Sequence, residues 1–187
     1  SKPVQSKLDE TTGVMTLEFS ELSMKDLENL ADKLSGEQQA RLNKFIGAFK
    51  ASGLGKFITD KGFSATLEVT RSGTVIKEVG FKLDLSKDIE AMATALEKFA
   101  DKMGLKGFDK KMAEEMLNAY KAAGFKEIGV KYNFENEELM IGNEIQGIDK
   151  VQAVVNHMKD KTAKENANAV INELGKMKDE LGFDINT

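Results

Sequence analysis

The stretch Gly80-Phe81-Lys82-Leu83-Asp84-Leu85 decides the predicted fold, because it joins a strand pattern directly to a helix pattern. Its apolar and charged residues alternate, which is the period of a strand with one buried face. Ser86 follows at the expected helix N-cap, where a side-chain oxygen can accept from a first-turn N–H. Apolar residues three and four positions apart then indicate a helix ending at Gly104. The apolar face of this helix comprises Ile89, Met92, Ala93, Leu96, Phe99, Ala100 and Met103.

A second helix is predicted from near Asp109 to Gly124, and a strand follows it. The helix has an apolar set at helical spacing, and the strand alternates apolar and polar residues. These two sets are Met112, Met116, Leu117 and Tyr120, then Ile128, Val130, Tyr132 and Phe134. Because the two helices are close in sequence, we expect an antiparallel pair packed on one face of a sheet.

Upstream of this unit the same order of elements occurs. We predict a strand over 14–22, a helix from the cap Ser23 to about Leu34, and a further helix that ends at Gly53. The spacing of Ser35 and Gln38 predicts a capping box for that further helix. The glycine-rich stretch 53–62 is expected to be a loop or a short bridge. A hairpin then follows, with strands 63–69 and 75–85 and a turn at 71–74.

Downstream, a turn at 135–138 leads into a strand through Ile145. Asp149 is a candidate cap for a helix containing Val151, Val154, Val155 and Met158, which share one helix face. The spacing of Thr162 and Glu165 predicts another capped helix. Its apolar residues are Ala167, Val170, Ile171, Leu174, Met177 and Leu181, and Phe183-Asp184-Ile185 begins one more strand.

The predicted fold is α+β, an antiparallel sheet of about five or six strands with αα-hairpins packed on it. We expect residues 1–12 to be a disordered or extended N-terminus and residues 13–187 to form a single domain. Three strand–helix–helix units are visible, at 15–53, 79–124 and 139–182. Duplication of one unit explains this pattern, and so does the limited set of α+β arrangements, so both explanations stay open.

Composition excludes several classes of function. The 187 residues carry 27 Lys and Arg against 31 Asp and Glu, and this mixed net charge of −4 gives no nucleic-acid footprint. The chain has no cysteine, which removes disulfides, thiolate nucleophiles and cysteine metal sites. Eleven Phe and nine Met indicate a soft core, although Met also suits adaptable binding surfaces. No run reaches the length of a membrane span.

The region 81–155 resembles the C-terminal part of the YdgA-like bacterial proteins, a family of unknown function. Three stretches carry the resemblance most closely, beyond the strand that leads into Ser86. They are Val130-Lys131-Tyr132-Asn133-Phe134, Leu139-Met140-Ile141-Gly142-Asn143 and Ile148-Asp149-Lys150-Val151. The resemblance implies a periplasmic domain whose single N-terminal membrane anchor lies outside this sequence, which begins at Ser1. It implies no catalytic residues.

No residue pattern indicates catalysis or a bound cofactor. His157 is the only histidine, so a triad or a His/Cys zinc site is not expected, and we interpret it as a border or surface residue. Glu114 and Glu115 are adjacent on a helix and face differently, so they do not predict a two-carboxylate site. The oxygen-rich turn from Asn133 to Glu138 is the one candidate for calcium, but its spacing matches no EF-hand loop.

Other binding patterns are also absent from the sequence. Gly53, Gly55 and Gly62 are not followed by the Lys-Ser/Thr of a phosphate loop, and Lys56 and Lys61 nearby are expected to be solvated. Aromatic and basic residues do not interleave as an RNA-binding sheet requires. Tyr120 and Tyr132 are expected at the core or its edge. The polar helix faces mix acidic and basic residues, so folding onto a sheet is favoured over direct membrane binding.

Two classes of function remain. The first is a non-enzymatic extracytoplasmic bacterial domain that binds a protein or a cell-envelope component. The second is a carrier of an apolar or lipid-like ligand, held between the sheet and its Met- and Phe-rich helices. We predict no catalytic, cofactor or metal residues and no nucleic-acid partner. Membrane contact is expected only through an anchor outside this sequence. Self-association stays open.

Overall fold

The computed structural model describes residues 4–142, which form one antiparallel sheet and four helices. The strands are β1 (Val4–Leu8), β2 (Met15–Leu22), β3 (Ile58–Thr70), β4 (Gly73–Asp84), β5 (Glu127–Asn133) and β6 (Glu138–Ile141). The helices are α1 (Met24–Lys33), α2 (Gly36–Ser52), α3 (Ile89–Lys102) and α4 (Lys110–Ala122), with a short 3-10 turn at Leu54–Lys56. The predicted α+β class is confirmed.

The sheet has the order β1-β2-β3-β4-β5-β6, so each strand pairs with its neighbour along the chain. The first helix pair, α1 and α2, joins β2 to β3, and the second pair, α3 and α4, joins β4 to β5. In sequence, two strands followed by two helices therefore occur twice. Since all pairings are antiparallel, β2, β4 and β6 run in one direction and end at the same end of the sheet.

One face of the sheet is buried by the helices. In the central strands Phe63, Phe81 and Val130 lie opposite one another in register, and all three are buried. Their neighbours Ser64 and Lys131 alternate onto the other face, as the period of a strand requires. Each of the four helices contributes buried residues to a single apolar cluster that also contains buried residues of the strands. The helices therefore form one layer on one face.

The side chain of Phe45 on α2 lies at the centre of this core. It is fully buried, and its ring contacts those of Phe81 on β4 and Phe99 on α3 with centroid distances of 6.5 and 5.3 Å. Its ring also lies within 6.3 Å of the rings of Tyr132 and Phe134. One side chain thus links both helix pairs to the sheet by aromatic contacts of favourable separation.

The predicted caps are confirmed in part. The cap predicted at Ser23 is confirmed, because Ser23 caps α1 through a capping box with Asp26. The helix predicted from near Asp109 is capped by Asp109 itself, which accepts from the N–H of Met112. The cap predicted at Ser86 is wrong. Asp88 caps α3 instead, because the backbone N–H and the hydroxyl of Ser86 both donate to a carboxylate oxygen of Asp84 in the preceding turn.

The capping box predicted at Ser35 and Gln38 is also wrong. Ser35 is the N-cap residue of α2 but makes no side-chain cap bond. The Gln38 side-chain oxygen instead accepts from the backbone N–H of Ile76, at 3.0 Å. The Gln38 side chain, which local spacing predicted to bond at the start of α2, therefore bonds β4 instead.

Two segments contain more strand than the sequence predicted. Residues 4–8 lie in the segment expected to be disordered or extended, and they form β1, which pairs along its whole length with β2. Residues 58–62 belong to β3 rather than to a loop, with an irregular register between Ile58 and Phe63. A glycine-rich composition is compatible with a strand at such a bulge.

Several predicted features lie outside the described residues. They are the continuation of the last strand to Ile145, the helices capped at Asp149 and Thr162, the strand at 183–185, His157, and most of the unit 139–182. Whether the units are duplicated stays a prediction.

The bulge before Phe63 provides a test of the β3 backbone. Gly62 has φ +69°, and a Cβ there would overlap the carbonyl oxygen of Leu22. Gly53 has a similar φ of +79° but free space around it. We expect Gly53→Ala to lower the unfolding free energy by about 1 kcal/mol, from the left-handed backbone alone.

Gly62→Ala is expected to cost roughly 2 kcal/mol more than Gly53→Ala, because the clash adds to the backbone strain. Urea unfolding of both variants measures the difference. Equal losses would contradict the close approach of β2 and β3.

Candidate binding surfaces

The helix-free face of the sheet carries charges that are paired across strands. Glu127 on β5 accepts from Lys61 on β3 at 2.6 Å and lies 3.5 Å from Lys82 on β4. Lys77 bonds Glu135 at 2.7 Å and lies 3.6 Å from Glu68. Because the two signs alternate and neutralise each other, this face has no excess of positive charge to attract a phosphate backbone.

These pairs shift the titration of their members. The hydrogen bond from Lys61, assisted by the charge of Lys82, lowers the pKa of the Glu127 carboxyl, against a smaller opposing effect of burial. The hydrogen bond to Glu135 raises the pKa of Lys77 and lowers that of Glu135. Such shifts accompany structural ion pairs as well as functional sites, and here the cross-strand geometry accounts for them.

The oxygen-rich turn has structural partners. Asn133 Oδ1 accepts from the backbone N–H groups of Glu135 and Asn136, and Asn136 Oδ1 accepts from the N–H of Glu138. Side-chain oxygens that close a turn in this way account for its composition. Within residues 4–142, no group of three His, Cys, Asp or Glu side chains is arranged to hold a metal ion.

The two lysines and two tyrosines considered in the sequence make contacts within the fold. Lys61 is ion-paired rather than free, and Lys56 lies 5.5 Å from the ring centroid of Phe57. Tyr132 is buried, which raises its pKa, and Tyr120 is partly buried against Phe125. Both tyrosines lie where the sequence predicted.

A polar hollow of about 460 Å³ lies at the start of α3, and three of its polar side chains bond to the local backbone. Asp88 accepts from the N–H of Ala91, and the Thr94 hydroxyl donates to the carbonyl of Glu90. The Ser52 hydroxyl donates to the carbonyl of Phe49 and accepts from the N–H of Leu54. Ser52, Asp88 and Thr94 are therefore used locally, and the remaining charged groups of the hollow are those of Lys56, Glu90 and Lys98.

An exposed apolar strip lies on β1 and β2, at one edge of the sheet. It consists of Val4, Leu8 and Met15, which are 51%, 54% and 37% exposed. Leu8 lies opposite Met15 in the antiparallel register, so their side chains are neighbours. Alternation places the strip on the helix-bearing face, beyond the buried core. Large side chains grouped in this way mark interaction surfaces more often than single exposed ones do.

The free edge of β1 adjoins this apolar strip. Within residues 4–142, β1 pairs only with β2, so its other edge presents unpaired backbone groups there. An edge of this kind is a template for pairing with another strand. The strip was not predicted, because residues 1–12 were expected to be a disordered or extended terminus. The alternation of Val4, Ser6 and Leu8 with Gln5 and Lys7 was the available signal.

An apolar groove of about 540 Å³ lies at the other edge of the sheet, between α4 and β6. Its apolar lining is Leu105, Phe108, Met112, Met116, Leu139 and Ile141, and its charged rim includes Lys106, Asp109, Glu137 and Glu138. Met112 is 38% exposed. The groove could not be found from the sequence, because its two walls come from elements that only the fold brings together.

Comparisons with protein-family models, curated proteins and solved structures find no match to this chain. The resemblance to the YdgA-like proteins therefore stays a prediction. None of the helices in the described part of the chain combines the length and the apolar character needed to cross a bilayer.

The ion pairs of Glu127 predict a small pH dependence of stability. Because folding lowers the pKa of this carboxyl, its contribution is present above the unfolded pKa and is lost as pH falls through the folded pKa. The lysine side chains are about half exposed, so we expect Glu127→Gln to cost less than about 1 kcal/mol at neutral pH. The cost should disappear in acid.

Urea unfolding between pH 7 and pH 3 measures this difference, with Glu97→Gln on the exposed face of α3 as the control. A Glu127→Gln cost that is the same at both ends of the range would contradict the assignment.

Proposed function

We propose that this chain is a non-enzymatic, extracytoplasmic bacterial domain that binds a protein partner through the apolar strip and the free edge of β1. The observation that carries the proposal is the position of Leu8 and Met15. These exposed apolar neighbours lie beside a strand edge that has no partner within residues 4–142. The extracytoplasmic location rests on the resemblance to the YdgA-like proteins.

The two features favour an extended protein segment as the occupant. Backbone groups along β1 can pair with an added strand, and alternate apolar side chains of that strand can lie on the strip. Gln5 and Lys7 point to the opposite face, so only every second residue of the partner would need to be apolar. Such a partner differs from a membrane surface, which offers no strand for pairing.

The carrier alternative receives less support. In this alternative the ligand lies between the sheet and the helices. There Phe45, Phe49, Phe63 and Phe81 form a connected group of ring contacts at 4.9–6.5 Å. Interlocking rings at these separations fill the space that a lipid chain would need. The polar hollow at α3 and the α4–β6 groove lie outside this layer of rings.

A peptide selection tests the proposal. A displayed library of random twelve-residue peptides is selected on the intact chain, and the affinity of the selected peptides is measured by fluorescence anisotropy. We expect Leu8→Lys to weaken binding by about tenfold or more, because a central apolar contact becomes charged. The matched control is Met140→Lys, since Met140 is 47% exposed on β6, at the opposite edge of the sheet.

Hydrogen exchange with the peptide bound should show added protection in residues 4–8. Equal loss of affinity in both variants, or protection elsewhere, would contradict the proposal. A concentration-dependent dimer that Leu8→Lys abolishes would instead identify a second copy of the chain as the occupant.

A further inference from the structure

The groove between α4 and β6 is an apolar site at the point where the described chain ends. Leu139 and Ile141 of β6 form one wall, and Met112 and Met116 of α4 belong to the other. Gly142 follows β6 directly, and its backbone N–H bonds the carbonyl of Gly129. The next 45 residues of the chain therefore begin at the Ile141 end of this groove.

The direction of β6 determines where those residues start. β2, β4 and β6 run in parallel, and the chain leaves β2 and β4 into α1 and α3 at one end of the sheet. In each pair the first helix leads away from that end over the same face of the sheet, and the second helix returns to it. A helix that leaves β6 at this end and continues the layer would lie antiparallel to α4, with its C-terminal part at the groove.

The sequence after β6 has the pattern that such a helix needs. Val151, Val154, Val155 and Met158 are spaced by three, one and three positions, which places them on one face of a helix after the candidate cap Asp149. A helix over 149–161 would be roughly 20 Å long. This length lies between those of α1 and α3, which have 10 and 14 residues.

The exposed side of α4 offers the complementary surface. Met112, Met116 and Tyr120 are four residues apart, so they form one stripe along the helix, and none of them is fully buried. In the described layer, α2 is covered on its far side by α3, because these helices contact each other. The stripe on α4 is the position that the next helix would cover in the same way.

We propose that the apolar groove between α4 and β6 binds residues 149–161 of this same chain as a fifth helix of the layer, with its Val154, Val155 and Met158 side against Met112 and Met116. Met side chains suit this contact because they adapt to the shape of an incoming apolar face. The proposal is independent of the partner-binding strip, which lies at the opposite edge of the sheet, on β1 and β2.

Because the chain has no cysteine, disulfide trapping is a direct test. In the full chain, Met112→Cys is combined in turn with Val151→Cys, Val154→Cys, Val155→Cys and Met158→Cys. A bond requires Cα atoms about 4.4–6.8 Å apart. We expect an intrachain bond from Cys at 112 to position 155 or 158, and less to 151, because the helix runs antiparallel to α4.

The matched control places the first cysteine at Met140, which is 47% exposed on the helix-free face of β6. Non-reducing electrophoresis and mass spectrometry separate intrachain bonds from dimers. Equal trapping by positions 112 and 140, no intrachain bond at all, or bonds only between two chains would overturn the proposal.

Hydrogen exchange provides a measurement without cysteines. Met112→Glu should speed exchange of the amides in 150–160 by about tenfold or more, because it places a charge against their apolar face, while Met140→Glu should not. Amides in α3 and β4 report whether the described core is intact. Unprotected amides in 150–160 of the unmodified chain, or equal effects of both variants, would also overturn the proposal.

Discussion

The aromatic contacts of Phe45 are the constraint on which the described structure depends. The side chain lies on α2, and its ring contacts Phe99 on α3, Phe81 on β4 and Tyr132 on β5. An α2 that moved away from the sheet would break contacts with the second helix pair as well as with two strands. Since the ring is fully buried, no rearrangement at the surface can replace these contacts. The two helix pairs therefore form one layer.

The position of this layer explains where apolar surface is left over. Four helices cover the middle of the described six-stranded sheet, and β1 and β6 form its two edges. At the β1 edge the strip of Val4, Leu8 and Met15 is exposed beside a strand that has no further partner within residues 4–142. At the β6 edge the α4–β6 groove lies where the chain continues. The same geometry thus separates a surface suited to a partner from one suited to the rest of the chain.

Local pattern predicted most of the elements because each depends on residues close in sequence. The alternation in 80–85 and the spacing from Ile89 to Met103 are sufficient for β4 and α3. One error arose where a distant contact competed with a local one, as Gln38 bonded Ile76 on β4 instead of capping its own helix. Another arose between two local contacts, since Ser86 bonds Asp84 rather than capping α3. β1 was missed because five exposed residues give no burial signal until their partner β2 is placed beside them.

The binding surfaces could be predicted less well than the fold. Met112 and Leu139 belong to separate elements, and only the pairing of β5 with β6 brings them to one groove. The strip on β1 and β2 likewise depends on the register that places Leu8 opposite Met15. A sequence without histidine pairs, cysteines or a phosphate loop gives no chemical motif from which to begin. The shape of the folded surface then becomes the main source of functional information.

The most direct test of the central claim is hydrogen exchange and urea unfolding of Phe45→Ala. Removing this buried ring should lower the unfolding free energy by about 3–5 kcal/mol. If Phe45 joins the two helix pairs to the sheet, unfolding stays a single transition, and protection falls together in α2, α3, β4 and β5. Loss of protection confined to α1 and α2, with α3, β4 and β5 unchanged, would contradict the account.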